Sequence, residues 1–223
     1  MRVIISAATN GEWMPLFQKI NPKFVRPNKK FSVGFHESGV GMLASSVSLM
    51  KMVVQETPSL IIQMGVAGSL DLKMPLGKVV AIKDEVVGDL GVTENKQWKD
   101  LFDLKLDGPN DAPFEKKALP NYWLNQYNVL KLPSKKGVTI NTITTDKKIA
   151  DRYRTKYKAQ IESMEGAALH YIGRDLNVPF IQIRAVSNYV GERNKAKWKM
   201  QEAIYNLNET VLQYLDALSI QAF

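Results

Sequence analysis

Cysteine is absent from this 223-residue chain, and histidine occurs only twice. The first absence removes disulfides, zinc–thiolate sites and cysteine nucleophiles. The second leaves too few imidazoles for most histidine-based metal sites, so neither a metal nor a cofactor is expected. No apolar run approaches the roughly 18 residues of a membrane span. Residues 1–13 lack a signal-peptide pattern; their apolar run is too short and reads as a first strand. The expectation is a cytoplasmic protein with no membrane partner. Phosphate signatures are missing too. The glycines at 65 and 68 lack the Gly-Lys-Ser/Thr ending of a P-loop, and those at 34, 39 and 41 have the wrong spacing for a dinucleotide fingerprint. Between Pro27 and Gly68 there is no arginine.

Positive charge is in excess, with Lys+Arg 30 against Asp+Glu 22 and a net charge of +8. The lysines are scattered, in pairs at 29–30, 116–117, 135–136 and 147–148 and singly at 195, 197 and 199. No block interleaves them with aromatics as a nucleic-acid platform would, so they read as solvated faces and no nucleic acid is expected. At 45% hydrophobic residues the chain can bury one substantial core. No repeat, low-complexity tract or linker divides it, which predicts a single domain over residues 1–223.

Strand and helix signals alternate. Residues 3–8 and 31–35 read as strands, and Pro15 marks the start of a helix carrying Leu16, Phe17 and Ile20. Gly39 and Gly41 open a helix whose apolar face runs through Leu43, Val47, Met50 and Val54. Further strands are expected at 60–64, 79–82, 85–87 and 138–144, with Asp146 as the N-cap of a charged, exposed helix. Residues 88–134 are loop-rich, with prolines at 109, 113, 120 and 133. A last helix over about 197–218 repeats Trp198, Ile204, Leu207, Val211, Leu215 and Leu218. The fold class is α/β, a single three-layer α/β/α domain around a central mixed sheet.

Residues 161–188 are the most informative. Ile161, Met164, Ala168 and Tyr171 recur at helical spacing, with Glu165 on the same apolar face, where a carboxylate is costly unless paired. The apolar run 178–183 reads as a buried parallel strand ending in Arg184, Ser187 and Asn188. Polar groups at the carboxyl ends of such strands are where open α/β sheets bind ligands. A neutral, hydroxyl-rich small molecule fits them; the alternative is that Glu165 merely pairs with Arg184 in the core. Glu12, just past the first strand, is either a first-turn acid favoured by the helix dipole or a general base in the crevice. Gly65 and Gly68 allow close backbone approach, and amides of the 65–69 segment, with Ser69, can hold a hydroxyl or a water.

Five segments occur in order along nearly the whole chain. They are Ala7-Ala8 with Glu12, Ser38-Gly39-Val40-Gly41, Gly65-Val66-Ala67-Gly68-Ser69, Met164-Glu165-Gly166-Ala167-Ala168 and Arg184-Ala185-Val186-Ser187-Asn188. Together they resemble the nucleoside phosphorylase/nucleosidase superfamily. Ile140-Asn141-Thr142-Ile143-Thr144, and the ending from Ser187 through Trp198 to Asn208, are most similar to its futalosine hydrolases, which remove hypoxanthine from futalosine in a menaquinone pathway. The resemblance implies roles. Glu12 activates the attacking water, which Gly68 and Ser69 help to position. Met164 packs on the sugar, and Glu165 binds ribosyl hydroxyls and stabilises positive charge on the sugar. Arg184 orients the water or the carboxylates, and Asn188 replaces the aspartate that protonates purine N7 in adenine-specific relatives. A purine nucleoside is the implied partner, with no cofactor, and a homodimer whose second copy edges the site is implied as well.

An amide accepts from one base-edge atom and donates to another. Asn188 therefore suits a 6-oxopurine better than a 6-aminopurine, unless it is only a strand-end cap. Phosphorylases of the superfamily bind phosphate with arginines near the early glycine turns, whereas Arg2 and Arg26 lie outside those turns; water is the expected nucleophile. Three rival readings are a methylthioadenosine/adenosylhomocysteine nucleosidase, a purine nucleoside phosphorylase and a non-catalytic nucleoside-binding protein. Asn188 argues against the first, the missing arginines against the second, and the presence of both Glu12 and Glu165 against the third. His36 and His170 read as structural. Trp98 and Phe102 either stack on the base or meet a dimer partner, and the apolar tail 220–223, ending in Phe223, suits an interface.

Overall fold

The first apolar run is buried along almost its whole length and forms β1 (Arg2–Ala7), as expected of a strand covered on both faces by helices. The computed structural model describes residues 1–20, 22–25 and 31–221. After β1 come α1 (Asn10–Lys19), α2 (Pro22–Val25), β2 (Ser32–Glu37), α3 (Met42–Glu56), β3 (Leu60–Ser69) and β4 (Val79–Val87). The middle of the chain holds the hairpin β5 (Gly91–Glu94) and β6 (Gln97–Asp100), then β7 (Leu119–Pro120) and α4 (Leu124–Tyr127). The last part holds β8 (Ser134–Thr139), α5 (Lys147–Lys156), β9 (Ile161–Ser163), α6 (Gly166–Asp175), β10 (Phe180–Tyr189), a 3-10 turn (Lys195–Lys197) and α7 (Met200–Gln221).

The sheet is mixed. β1 lies parallel to β2 and β3, and β3 parallel to β10. β4 runs antiparallel to β10 and parallel to β8, which is parallel to β9. β9 then pairs antiparallel with the end of β3, closing β3, β10, β4, β8 and β9 into a ring from which β1 and β2 extend. Helices α1 and α7 cover one face, setting Leu16, Leu207, Val211 and Leu215 into one cluster with Ile5, Ile62 and Ile183. Helices α3 and α6 cover the other, with Leu49, Met52, Leu169 and Ile172 beside Ile4, Ile61 and Phe180.

One edge of β3 is shared by two strands. β1 pairs with it at Leu60 to Gln63, and β9 at Gly68 and Ser69. Between them, Met64 to Ala67 have a strand partner only on the β10 side. An unpaired strand amide needs another acceptor, and the site described below supplies it.

Helix α1 shows how a proline is accommodated. Pro15 sits in its interior rather than near its start, where proline disrupts the i→i−4 ladder. The Leu16 amide donates to Asn208 Oδ1 of α7 at 2.8 Å, and Asn208 Nδ2 donates to the Glu12 carbonyl at 2.9 Å. One buried amide side chain thus splints the 12/16 pair of the helix that carries Glu12.

Several expectations are corrected. The helical spacing of 161–171 spans a strand and a helix: Ile161 to Ser163 are all buried in β9, and the helix starts only at Gly166. The strand expected over 138–144 stops at Thr139, because Asp89 Oδ2 accepts the amides of Asn141 and Thr142 at 2.6 and 3.1 Å and draws the chain out of the sheet. The 79–82 and 85–87 strands are one, β3 runs beyond the expected 60–64 through 65–69, and β10 runs through Arg184 and Asn188 to Tyr189. In α3 the core face is Ser45, Leu49, Met52 and Val53, while Leu43, Val47, Met50 and Val54 are exposed; the helix is apolar on two sides. Asp146 caps α5 through the Lys148 amide as expected, but Ala150 and Tyr153 bury one face of that helix. Trp198 precedes α7. Arg26, Lys29, Lys30 and Phe223 lie outside the described residues.

Removing the Asn208 splint leaves a buried donor and acceptor unmatched, each costing about 1–3 kcal/mol. Urea unfolding of Asn208→Ala is expected to show a loss of about 2–4 kcal/mol. A loss below about 0.5 kcal/mol would mean that α1 closes its own ladder despite Pro15.

Candidate active site

A cleft of about 430 Å³ opens where β1 and β9 part from β3. Val66, Ala67 and Gly68 of β3 and Ser187 and Asn188 of β10 line it, together with Thr9, Gly11 and Glu12 at the start of α1. Glu162 to Glu165 enter from β9 and the turn after it, Ile140 and Ile143 from the loop after β8, and Trp198, Met200 and Ile204 from around the start of α7.

Glu12 fills the gap in β3. Its Oε1 accepts the Val66 amide at 3.0 Å and its Oε2 the Thr9 amide at 3.3 Å. It is therefore both a first-turn acid and a group facing the crevice, so the two sequence readings describe one side chain. Burial pushes its pKa above the ordinary carboxylate range. The Val66 amide and Arg184 oppose that rise, and the nearby Glu165 adds to it.

Glu165 stands at the N-cap of α6 and is 6% exposed. Its Oε1 accepts the amide of Gly41 at 3.0 Å. Gly41 is the N-cap of α3 with φ 88°, a conformation that glycine adopts without steric cost. The α3 N-terminus thus directs an amide and its dipole at the carboxylate. Glu165 Oε2 is 3.6 Å from Arg184 Nη1, so the ion pair weighed from the sequence is present as well.

Arg184 lies beneath the cleft rather than in its wall. It is 1% exposed and donates from Nη2 to Gln63 Oε1 at 2.9 Å, while Gln63 Nε2 reaches the Glu165 carbonyl at 3.4 Å. A Cβ on Gly65 would overlap the guanidinium and stand 3.1 Å from Glu12 Oε1. Gly65 is what lets one arginine approach both carboxylates.

Met164, Gly68 and Asn188 line the cleft. The Asn188 amide donates to its neighbour's carbonyl, Tyr189 O, at 3.0 Å, and its Oδ1 accepts the Ser187 hydroxyl at 2.9 Å. Ser69 does not reach the cleft. Strand alternation turns it away from the Gly68 face, and its hydroxyl donates to the Asp71 carbonyl and accepts the Asp71 amide. Trp98 and Phe102 are also elsewhere: Trp98 donates to Tyr157 Oη under the Arg152 guanidinium, and Phe102 packs on Phe114. His36 sits between the Ser6 and Ser48 hydroxyls, and His170 hydrogen-bonds the Leu119 carbonyl with its pKa pushed down to about 4 by burial. Among the described residues no group of three or more His, Cys, Asp or Glu is placed to hold a metal ion.

Two acidic residues went unread in the sequence. Glu85 is fully buried in β4, with its pKa pushed up to about 7 by burial. It accepts from Gln182 Nε2 at 3.0 Å and from Thr139 Oγ1 at 3.1 Å, and Thr139 in turn accepts the Ala167 amide at 2.7 Å, which fixes the first turn of α6 below Glu165. Its signal was a carboxylate within an apolar strand. Glu162 lines the cleft two positions before Met164; its signal, strand alternation, was hidden by the apparent helical spacing.

Comparison with known proteins adds a lineage to this geometry. The family model described as Phosphorylase superfamily matches residues 29–218. The chain is 26% identical over 185 residues to the futalosine hydrolase of Thermus thermophilus, covering 80% of this chain and 79% of that one. A solved futalosine hydrolase mutant of Helicobacter pylori superposes with a TM-score of 0.78 at 16% identity, covering 99% of both chains. The 5'-methylthioadenosine/S-adenosylhomocysteine nucleosidase of Colwellia psychrerythraea in complex with adenine gives 0.77 at 20% identity, over 98% of this chain and 96% of that one. With the family match spanning most of its length, the chain belongs to the phosphorylase superfamily.

Proposed function

We propose that this protein is an N-ribosyl hydrolase that cleaves futalosine to release hypoxanthine, a step serving menaquinone biosynthesis. Its relatives are named hydrolases and nucleosidases of the N-glycosidic bond, and an enzyme of that bond is the reading the chain supports at the coarser level. The observation that carries the mechanism is the pair of carboxylates, Glu12 and Glu165, facing one cleft over a single buried arginine.

Glycoside cleavage passes through an oxocarbenium-like transition state. Glu12, its basicity raised by burial, takes a proton from the attacking water. Glu165, preorganised by the Gly41 amide and Arg184, holds the ribosyl hydroxyls and faces the positive charge that develops on the sugar. Met164 packs against the sugar, and Asn188 meets the base edge. Arg184 acts through Glu165 as a positioning residue, and Gly68 lets the Val190 side chain pack close to the β3 backbone beside Asn188.

Among the described residues no free guanidinium stands at the early glycine turns, which favours water over phosphate. Arg2 pairs with Glu56 at 2.7 Å, and Arg184 is engaged with Gln63 and Glu165. The stripe of Leu43, Val47, Met50 and Val54 on α3, exposed at 79%, 49%, 37% and 68%, supports a homodimer. Val40, 59% exposed, continues it and also lines the cleft, so a second copy seated on the stripe would edge the site.

Base release measured by chromatography from futalosine, inosine and methylthioadenosine, each with and without phosphate, tests the reading. Hypoxanthine release from futalosine without phosphate supports it. Adenine release from methylthioadenosine, or dependence on phosphate, moves the protein to a sibling activity. Glu12→Gln and Glu165→Gln are each expected to lower turnover by about 10²–10⁴-fold with unchanged circular dichroism; near-normal turnover in either sinks the mechanism. The base must be ionised to act, so kcat/KM rises with pH through the titration of Glu12, displaced upward from 4.5. Glu12→Gln removes that acid limb, and its survival in the variant would assign it to another group. Sedimentation of Leu43→Glu/Val47→Glu should show a monomer where the parent is a dimer; a monomeric parent would refute the interface.

A further inference from the structure

Glu85 does not line the cleft, yet its carboxyl lies against the turn that carries Glu165. Two glycines make room for it. A Cβ on Gly137 of β8, or on Gly166 directly after Glu165, would overlap Glu85 Oε1.

The hydrogen bonds around this acid leave two atoms unmatched. Gln182 Nε2 donates to Glu85 Oε1 at 3.0 Å, and the Gln182 side chain is also a hydrogen-bond neighbour of His170. His170 Nδ1 meets the Leu119 carbonyl at 2.7 Å. A carbonyl only accepts, so Nδ1 carries the proton, and a neutral imidazole then offers only a lone pair at Nε2. Neither His170 Nε2 nor Gln182 Oε1 has a well-formed hydrogen bond among the described residues. Two buried acceptors with no proton between them are costly.

Turning the Gln182 amide over satisfies both atoms on one condition. Its Nε2 then donates to His170 Nε2, and its Oε1 faces Glu85, which must carry a proton to donate to it. Thr139 Oγ1 still donates to the other oxygen of Glu85 and accepts the Ala167 amide. We propose that Glu85 is a positioning residue that acts in its protonated form, closing a chain from His170 through Gln182, Glu85 and Thr139 to the first turn of α6 and so holding Glu165. The role given to Glu165 rests on the nucleosidase reading of the cleft. The surrounding charges agree with the chain. Burial raises the Glu85 pKa to about 7, against the pull of Gln182, Arg184 and Thr139, and Glu165 adds to the rise. Burial pushes His170 down to about 4, against the Leu119 carbonyl, Gln182 and Asp84, and Arg174 adds to the fall. Between those two values both groups are neutral, the state in which the chain closes.

Glu85→Gln fixes that state: its amide nitrogen donates to Gln182 Oε1 and its amide oxygen accepts from Thr139. Infrared difference spectra, wild type minus Glu85→Gln, should show a protonated carboxyl about one pH unit below the Glu85 value and none about one unit above it. Across that interval kcat/KM of the wild type should fall about 10-fold, as for one essential proton, and the fall should be absent in Glu85→Gln. The wild type supplies a check that needs no Glu85 variant. With only two histidines in the chain, nitrogen NMR assigned through His36→Asn should show His170 neutral throughout, its Nε2 signal shifting as the Gln182 donor turns away. No protonated carboxyl in the difference spectrum, an imidazolium at His170, or an alkaline fall that persists in Glu85→Gln each overturns the proposal. If the protonated carboxyl is present and no nucleoside is hydrolysed, the hydrolase reading fails and the protonated chain stands. If futalosine is hydrolysed and no protonated carboxyl is seen, the hydrolase reading stands and this assignment fails.

Discussion

The parting of two strands along one edge of β3 is the constraint from which the site follows. A strand amide in the interior must find an acceptor, and at Val66 neither β1 nor β9 provides one. Glu12 does. The carboxylate is held in place by the sheet's own unmet hydrogen bonding, and the same departure of strands leaves the space in front of it. The opening and the acid inside it have one origin.

A second layer supports the first. Arg184, Gln63 and the Glu165 carbonyl are linked below the floor, and Glu85, Gln182 and Thr139 tie the first turn of α6 to the sheet. Burying this many polar groups is tolerable because most are matched, Gln182 Oε1 and Arg184 Nε being left without a hydrogen bond among the described residues. Such a network makes the rotamer of Glu165 stiff. A stiff carboxylate suits a reaction in which charge appears on the substrate and the protein has no time to reorganise.

Much of this was legible in the chain itself. Alternation of apolar runs with helical spacing gave the α/β class, strand-end polar groups led to Glu12 and Asn188, and a carboxylate on an apolar face led to Glu165; all three line the cleft. Illegible was whatever depends on register. Ser69 and Gly68 are adjacent in sequence but face opposite sides, and only pairing with β9 and β10 decides which one faces the cleft. Glu162 was hidden because Ile161, Met164 and Ala168 mimic one helix while spanning a strand, a turn and a helix start. The exposed stripe on α3 was misread as core because a helix apolar on two sides does not say which side the sheet takes.

The amide bridge between Asn208 and the Glu12 carbonyl joins residues 196 positions apart. Glu12 stands on the first helix described and the side chain that splints its turn on the last. A chain without Asn208 would keep Glu12 in its sequence but hold it on an unsupported turn. The placement of one cleft carboxylate is thus coupled to the integrity of α7, far from it in sequence.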